Sequence, residues 1–457
     1  MRREYLDNDT IVAISTAPGV GGIAIIRLCG KEAFEVANKV FVSKKDNFCM
    51  ADQKAYTLHF GQFVDPIDKL PIDEVIISIF RAPHSFTGDD IIEIACHGSL
   101  FIQQKILQIL IQQGCRLATA GEFTQRAFTN GRIDLSQAEA VADLIQAQSS
   151  SAHSLALNQM RGGFSSYLSQ LRLQLLEFAA LLELELDFGD HEDLEFADRT
   201  QLCSLAYKTK GQIEKLQSTF ATGNAIKNGI PIAIVGETNA GKSTLLNLLV
   251  GDNRAIVSNI HGTTRDVIED TVNIDGVMFR FIDTAGIRQT TDEIENLGIE
   301  RTYNMIEKAQ IVLWIVDSTS ISDHTQWLAE RIFQYAGEKK VIIVNNKIDC
   351  LNDEEKGSLR EWFKRYDRER IEISAKKETN TDHLRSVIFE AAQVPEISSS
   401  DLIVTNVRHY EALTKAKNAI ELTIEGLENQ TSADFVAQDV RECLFHLAEI
   451  TGGEITS

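Results

Sequence analysis

Residues 230–250, IPIAIVGETNAGKSTLLNLLV, constrain what this chain can fold into more tightly than any other stretch. An apolar run at 232–235 reads as a buried parallel strand, residues 236–243 follow as G-x-x-x-x-G-K-S, and a leucine-rich segment reads as a helix. Strand, loop and helix in that order present converging backbone amides to phosphate oxygens, and the glycines allow the tight turn. Gly236, Glu237, Thr238, Asn239, Ala240, Gly241, Lys242, Ser243 and Thr244 are therefore the candidate phosphate-binding set. Lys242 is expected to neutralise the β- and γ-phosphates, and Ser243 to offer its hydroxyl to Mg²⁺.

Three further segments complete a nucleotide site. Asp283, Thr284, Ala285 and Gly286 end an apolar run, which places the Asp283 carboxylate at a strand's carboxyl edge to hold a Mg²⁺ water and the Gly286 amide near a γ-phosphate. Thr263 and Thr264 lie in the polar GTTRD segment at 262–266, and Thr264 is the expected second hydroxyl ligand of Mg²⁺. A loop ordered only while the γ-phosphate is present would act as a switch. Asn346, Lys347 and Asp349 follow a strand as N-K-I-D, with Ser374, Ala375 and Lys376 as a second loop near the base. Asp349 accepts from the ring N–H and the exocyclic amine of guanine, an edge adenine lacks, so the substrate is expected to be GTP rather than ATP. Lys347 is expected to lay its alkyl stem over the purine. Ile287 stands where a water-orienting glutamine would be, so hydrolysis needs another arrangement, with Glu293 or Glu295 and Arg265 or Arg288 as candidates.

A chain of 457 residues is expected to hold about three domains. An apolar fraction of 44% and only 6 prolines favour compact domains over disorder. A formal charge of -21 argues against a chain that coats nucleic acid non-specifically, although a local basic patch stays compatible with gripping an RNA loop. The 7 cysteines show no paired C-x-x-C framework, so reduced thiols and a cytoplasmic location are expected. Neither a signal peptide nor a run long enough to cross a membrane is legible.

In chain order, strand-like segments at 10–15, 22–28, 57–64, 74–82 and 90–98 and a helix over 101–112 describe a mixed α+β domain at 1–125. A turn at Asn130-Gly131 and a capping box from Ser136 to Glu139 open a helical region at 126–223, with leucine-dense helices over 164–188 and about 200–222. The acidic run from Glu177 to Asp198 reads as a solvated face rather than a metal site. An α/β domain follows at 224–387, with strands expected at 277–282, 311–317, 340–345 and 371–373, and long helices return at 388–457. Helices on both sides of the α/β domain suggest one bundle into which that domain is inserted.

The segments DTIVAISTAPGVGGIAIIRLCG, PHSFTGDDIIEIACHGS, GEFTQRAFTNGRIDLSQAEAVADLI, GETNAGKST, HGTTRD and DTAGIRQTTDEIENLGIER together resemble the MnmE/TrmE family of tRNA modification GTPases, from Asp9 to the last residue. The resemblance implies a folate-binding and dimerising α+β domain, and a helical domain carrying an inserted Ras-like P-loop GTPase domain. It implies a homodimer acting with MnmG, an FAD-dependent partner, on C5 of the wobble uridine of tRNA. It implies a one-carbon unit from 5,10-methylene- or 5-formyl-tetrahydrofolate. Carried over residue by residue, it assigns K⁺ to Asn239 and main-chain oxygens near Ser258, Ile260 and Thr263, and water positioning to Glu295. Arg27, Glu93 and Arg126 are placed around the folate, with ion pairing as the rival use of each and with His97 ambiguous beside them. Family members continue past GEIT to a Phe-Cys-x-Gly-Lys tail, whereas this sequence stops at Ser457. A shortened chain is therefore expected, one that keeps nucleotide binding but not complete tRNA modification. The competing class is a non-enzymatic GTP-gated assembly switch such as a ribosome-associated G protein; a folate module with a degenerate nucleotide domain is a third.

Overall fold

The computed structural model describes residues 9–45, 47–188, 199–251, 270–282, 303–394 and 401–453. The chain divides into two compact units, Met1–Val141 with Thr451–Ser457, and Ala142–Ile450.

The first unit is built on strands β1 (Ile11–Ile14), β2 (Ile23–Cys29), β3 (Phe41–Ser43), β4 (Thr57–Val64), β5 (Pro71–Phe80), β6 (Ile91–His97) and β7 (Arg116–Leu117). They form one seven-stranded sheet in the order β3-β4-β5-β6-β2-β1-β7. Alternation along β2 buries Ala24, Ile26 and Leu28, and these pack with Ile77, Ile79, Ile92 and Ile94. Helices α1 (Ala33–Val40) and α2 (Leu100–Gln112) cover this face through Phe34, Val36, Ile106 and Leu110. The opposite face is mixed, with Val42, Leu58, Phe60, Ile76 and Ile23 exposed on the face that also carries Gln62, Glu74, Arg27 and Glu93. Helix α1, which buries Ala33, Phe34, Val36, Ala37 and Val40 at helical spacing, was not anticipated, and β3 and β7 are too short to show a period.

Helix α3 (Glu122–Thr129) precedes α4 (Leu135–Gln146). The expected capping box at Ser136 and Glu139 is corrected by two residues. Asp134 Oδ1 accepts from the Gln137 amide at 3.0 Å, and Gln137 Oε1 accepts from the Asp134 amide at 2.9 Å. Ser136 instead donates its hydroxyl to Asp134 at 2.7 Å. Aspartate wins the capping position because its carboxylate takes both donors at once and suits the positive helix end.

The second unit contains helices α5 (Ser150–Met160), α6 (Gly163–Phe188), α7 (Arg199–Ser218) and α8 (Phe220–Asn228). The single helix expected over 200–222 is broken at Thr219, whose hydroxyl donates to Leu216 O at 2.7 Å and accepts from the Val404 amide at 3.0 Å. After β8 (Ile230–Gly236) come α9 (Lys242–Gly251), β9 (Asp270–Ile274), β10 (Val277–Phe281), β11 (Ile311–Asp317), α10 (Asp323–Ala336), β12 (Lys340–Asn346), α11 (Asp353–Phe363), β13 (Glu369–Glu372) and α12 (Thr381–Ala392). The sheet order is β13-β12-β11-β8-β10-β9, parallel except where β9 returns antiparallel to β10. The strand expected at 371–373 begins two residues earlier, and β9 was not anticipated, its sequence DTVNI being half polar. β11, buried on both faces, reads IVLWIVD as one apolar run.

Helices α13 (Val407–Glu428) and α14 (Ala433–Thr451) close the chain. Leu168, Leu175 and Phe178 of α6 and Ile213 of α7 share one core with Leu413 and Ile420 of α13 and Val440 and Leu447 of α14. Helical segments on either side of the sheet in sequence thus bury their leucines against each other.

Candidate nucleotide site

β8 delivers the chain to the carboxyl edge of the parallel sheet, where ligands bind in such folds. Gly236 has φ +150, and a Cβ there would stand 2.2 Å from Ile315 O of the neighbouring strand, so only glycine fits. Asn239 adopts φ 62 at the exposed loop tip, a conformation asparagine tolerates better than most residues. Lys242 turns its ammonium back onto the loop, donating to Gly236 O at 2.9 Å and Glu237 O at 2.6 Å. Burial pushes its pKa below the ordinary lysine value, and Glu237 pushes partly back. Ser243 is half-buried at the start of α9, and Thr238 and Thr244 are exposed.

Asn346 ties the site together. Buried at the end of β12, it donates Nδ2 to Ala240 O at 2.9 Å and accepts from the Ala375 amide at 3.0 Å. A Cβ on Gly241 would lie 2.2 Å from that Nδ2, so the loop passes against the amide because residue 241 has no side chain. One carboxamide therefore fixes the phosphate loop relative to the loop carrying Ser374 and Ala375. Sequence reading placed Asn346 at the base; the structure gives it this cross-link. Lys347, at φ 66, donates Nζ to Asp317 Oδ2 at 2.5 Å. The side chain of Ser374 hydrogen-bonds Asp349 and holds its carboxyl below the usual range, helped by Lys377 at 3.4 Å. Lys376 and Lys377 are both exposed, and it is Lys377 that stands 3.4 Å from the Asp349 carboxylate.

In the first unit, Arg27 and Glu93 face each other across β2 and β6. Arg27 donates Nε and Nη2 to Glu93 Oε1 at 2.9 and 2.7 Å, with Phe123 5.4 Å from its guanidinium carbon. Arg126 is committed elsewhere, donating to Asp9 Oδ1 at 2.6 Å and to Asp9 O at 3.0 Å, and standing 3.7 Å from Glu122. His97 Nδ1 pairs with Asp73 at 2.7 Å on the surface.

The MnmE helical domain family matches residues 135–457, and the family described as GTP-binding protein TrmE N-terminus matches residues 10–132. Proteins named tRNA modification GTPase MnmE are similar over nearly their whole length. That of Parabacteroides distasonis is 55% identical over 448 residues, covering 98% of this chain and 96% of the relative. That of Bacteroides fragilis is 52% identical over 455 residues, covering 99% and 97%. That of Flavobacterium johnsoniae is 46% identical over 450 residues, covering 98% and 96%. The chain belongs to the MnmE family.

For an MnmE protein, the described part of the site is the phosphate loop and the base loops. Ser258, Ile260, Thr263, Thr264, Arg265, Asp283, Thr284, Ala285, Gly286, Ile287, Arg288, Glu293 and Glu295 lie outside the described residues. Of the residues expected from the sequence to hold Mg²⁺ and K⁺, Ser243 and Asn239 are the described ones, and a hydroxyl and a carboxamide oxygen are donors that hard cations accept. Among the described residues, no helix is long and apolar enough to cross a membrane. Sequence reasoning missed two contacts. Asp317 lies at the same sheet edge as Asn346, and the edge rule alone pointed to it. Glu237 accepts from Thr325 Oγ1 at 2.9 Å and lies 3.2 Å from His324 Nδ1, which joins the phosphate loop to the start of α10 and has no local sequence signal.

Proposed function

We propose that this chain is an MnmE-type GTPase that cleaves GTP with Mg²⁺ and K⁺ while serving a tRNA modification complex. The carrying observation is the Asn346 cross-link, which holds the phosphate loop and the base loops at one sheet edge. Lys242 binds the β- and γ-phosphates, and Asp349 and Lys347 select and cover guanine. Ser243, Thr264 and Asp283 would hold Mg²⁺. Asn239 with the backbone near Ser258, Ile260 and Thr263 would hold K⁺. Both cations would offset the charge that develops on the transferred phosphoryl group. Glu295 orients the attacking water.

Four segments carry the work: a folate-binding and dimerising part at 1–125, helical parts at 126–223 and 388–457, and the GTPase domain at 224–387 inserted between them. The shared core of α6, α7, α13 and α14 supports the insertion. Glu93 and Arg27 offer a carboxylate to the donor edge of a pterin and a guanidinium to a formyl oxygen or carboxylate tail, and Arg126 would join them from its ion pair with Asp9. The folate would be the 5,10-methylene or 5-formyl form. The apolar side chains exposed on the first sheet support a homodimer. With an FAD-dependent MnmG-type partner, this cytoplasmic assembly would modify C5 of the wobble uridine.

The test is GTP turnover at equal ionic strength in K⁺ and in Na⁺. A large K⁺ preference is expected, and equal rates overturn the K⁺ assignment. Tight GDP binding with no turnover in either salt replaces the enzyme with a GTP-gated assembly switch.

A further inference from the structure

The carboxyl ends of β11 and β12 lie side by side, with Asp317 in register with Asn346. The residue after Asn346 is Lys347, held at φ 66, a left-handed conformation uncommon for a residue with a side chain. That turn sends the lysine sideways toward the neighbouring strand, where Nζ meets Asp317 Oδ2 at 2.5 Å. The carboxylate is itself fixed: Oδ1 accepts from the Thr319 amide at 3.0 Å and the Thr319 hydroxyl at 2.7 Å. Only 15% of the Asp317 side chain is exposed, against 34% for Lys347. Burial pushes the Asp317 carboxyl up, but the hydrogen bonds from Lys347 and Thr319 outweigh it and keep it below its ordinary value.

We propose that Asp317 is a positioning residue for the purine: it anchors the Lys347 ammonium so that the lysine's alkyl stem is stretched across the place where the guanine ring lies. This rests on the reading of residues 346–349 as the guanine site and adds to it a residue that touches no part of the nucleotide. An unanchored lysine stem samples many rotamers, and ordering it on binding weakens affinity; an anchor ordered in advance removes that loss. Thr319 extends the device, because it holds Asp317 with the second oxygen turned toward Lys347.

The experiment follows release of a fluorescent GDP from the full chain and from Asp317→Asn, Lys347→Met and the double variant. Methionine keeps an apolar stem and drops the ammonium. Each single variant is expected to release GDP about tenfold faster, and the double variant no faster than Lys347→Met alone, as for two groups acting as one unit. Asp349→Asn is the control for the base site, expected to shift preference from guanine to xanthine. Should Asp317→Asn fail to fold, Lys347→Met still decides, since an unchanged release rate there overturns the anchor. If Asp349→Asn switches base but the effects at 317 and 347 multiply, the positioning role is wrong and the base site stands. If Asp349→Asn still prefers guanine, the base-site reading falls and the proposal with it.

Discussion

Glu122 shows how much one buried charge decides. Its side chain is 1% exposed, yet it carries ion pairs to Arg116 and Arg126 and accepts from the Thr119 amide at 2.7 Å. Burial pushes the carboxyl up, but Arg116 and Thr119 outweigh it and hold the pKa at about 2, against an ordinary 4.5. A depressed carboxylate contributes stability above the unfolded value and loses it as pH falls toward the folded one. The contribution is therefore complete above about pH 4.5 and gone near about pH 2. Glu122→Gln takes the carboxylate away from Arg116, while Asp9 still pairs with Arg116 and Arg126, and is expected to destabilise the protein by about 2 kcal/mol at neutral pH. Denaturant unfolding at a series of pH values should show the gap between parent and variant closing through that acid window; a gap independent of pH would discard the assignment. The sequence reading allowed Arg126 an ion pair as the rival to folate binding but not its partner, because Asp9 is remote in the chain and no motif links the two. Asn346 is the parallel case. Its N-K-I-D motif gave its place, while the carbonyl and amide it joins come from loops more than a hundred and nearly thirty positions away.

At the scale of elements, legibility followed length. The phosphate loop was readable from its G-x-x-x-x-G-K-S spacing, β11 and β12 from their continuous apolar runs, and the leucine-dense helices from a period repeated over several turns. β7 and β9 were not, because two to five residues carry no period and their pairing is decided by partners distant in sequence. The hairpin of β9 and β10 also makes a contact no pattern announces. Its turn at Gly276 has φ 82, and the Gly276 carbonyl accepts from the Ser151 amide at 3.2 Å and the Ser150 hydroxyl at 3.3 Å at the start of α5. A Cβ there would stand 2.2 Å from Ser150 Oγ. Gly276→Ala is thus expected to cost about 1–2 kcal/mol from left-handed strain, with Ser150 forced to move. Urea unfolding with an unchanged midpoint would show that neither the turn conformation nor the contact to α5 matters.

For the molecule as a whole, charge and apolar surface pull against each other. A net charge of -21 makes two copies repel at long range, so self-association has to come from apolar contact and should strengthen with salt. The open face of the first sheet offers that contact. Leu58 and Phe60 on β4 are 70% and 46% exposed, with Ile76 opposite Phe60 on β5 and Val42 on β3 completing the strip. In a two-fold dimer every residue of the face is used twice. Replacing Leu58 and Phe60 with glutamate removes four apolar side chains from the joint, about 6 kcal/mol in all, which weakens the dimer by roughly four decades in Kd. Sedimentation at micromolar concentration should find the parent as a dimer, tighter at high salt, and the double variant as a monomer. Circular dichroism has to be unchanged, since Leu58 is mostly exposed, Phe60 nearly half exposed, and neither belongs to the buried core. A double variant that sediments like the parent would move the interface off this sheet, and a parent that is monomeric at every salt concentration would remove the dimer from the proposed mechanism.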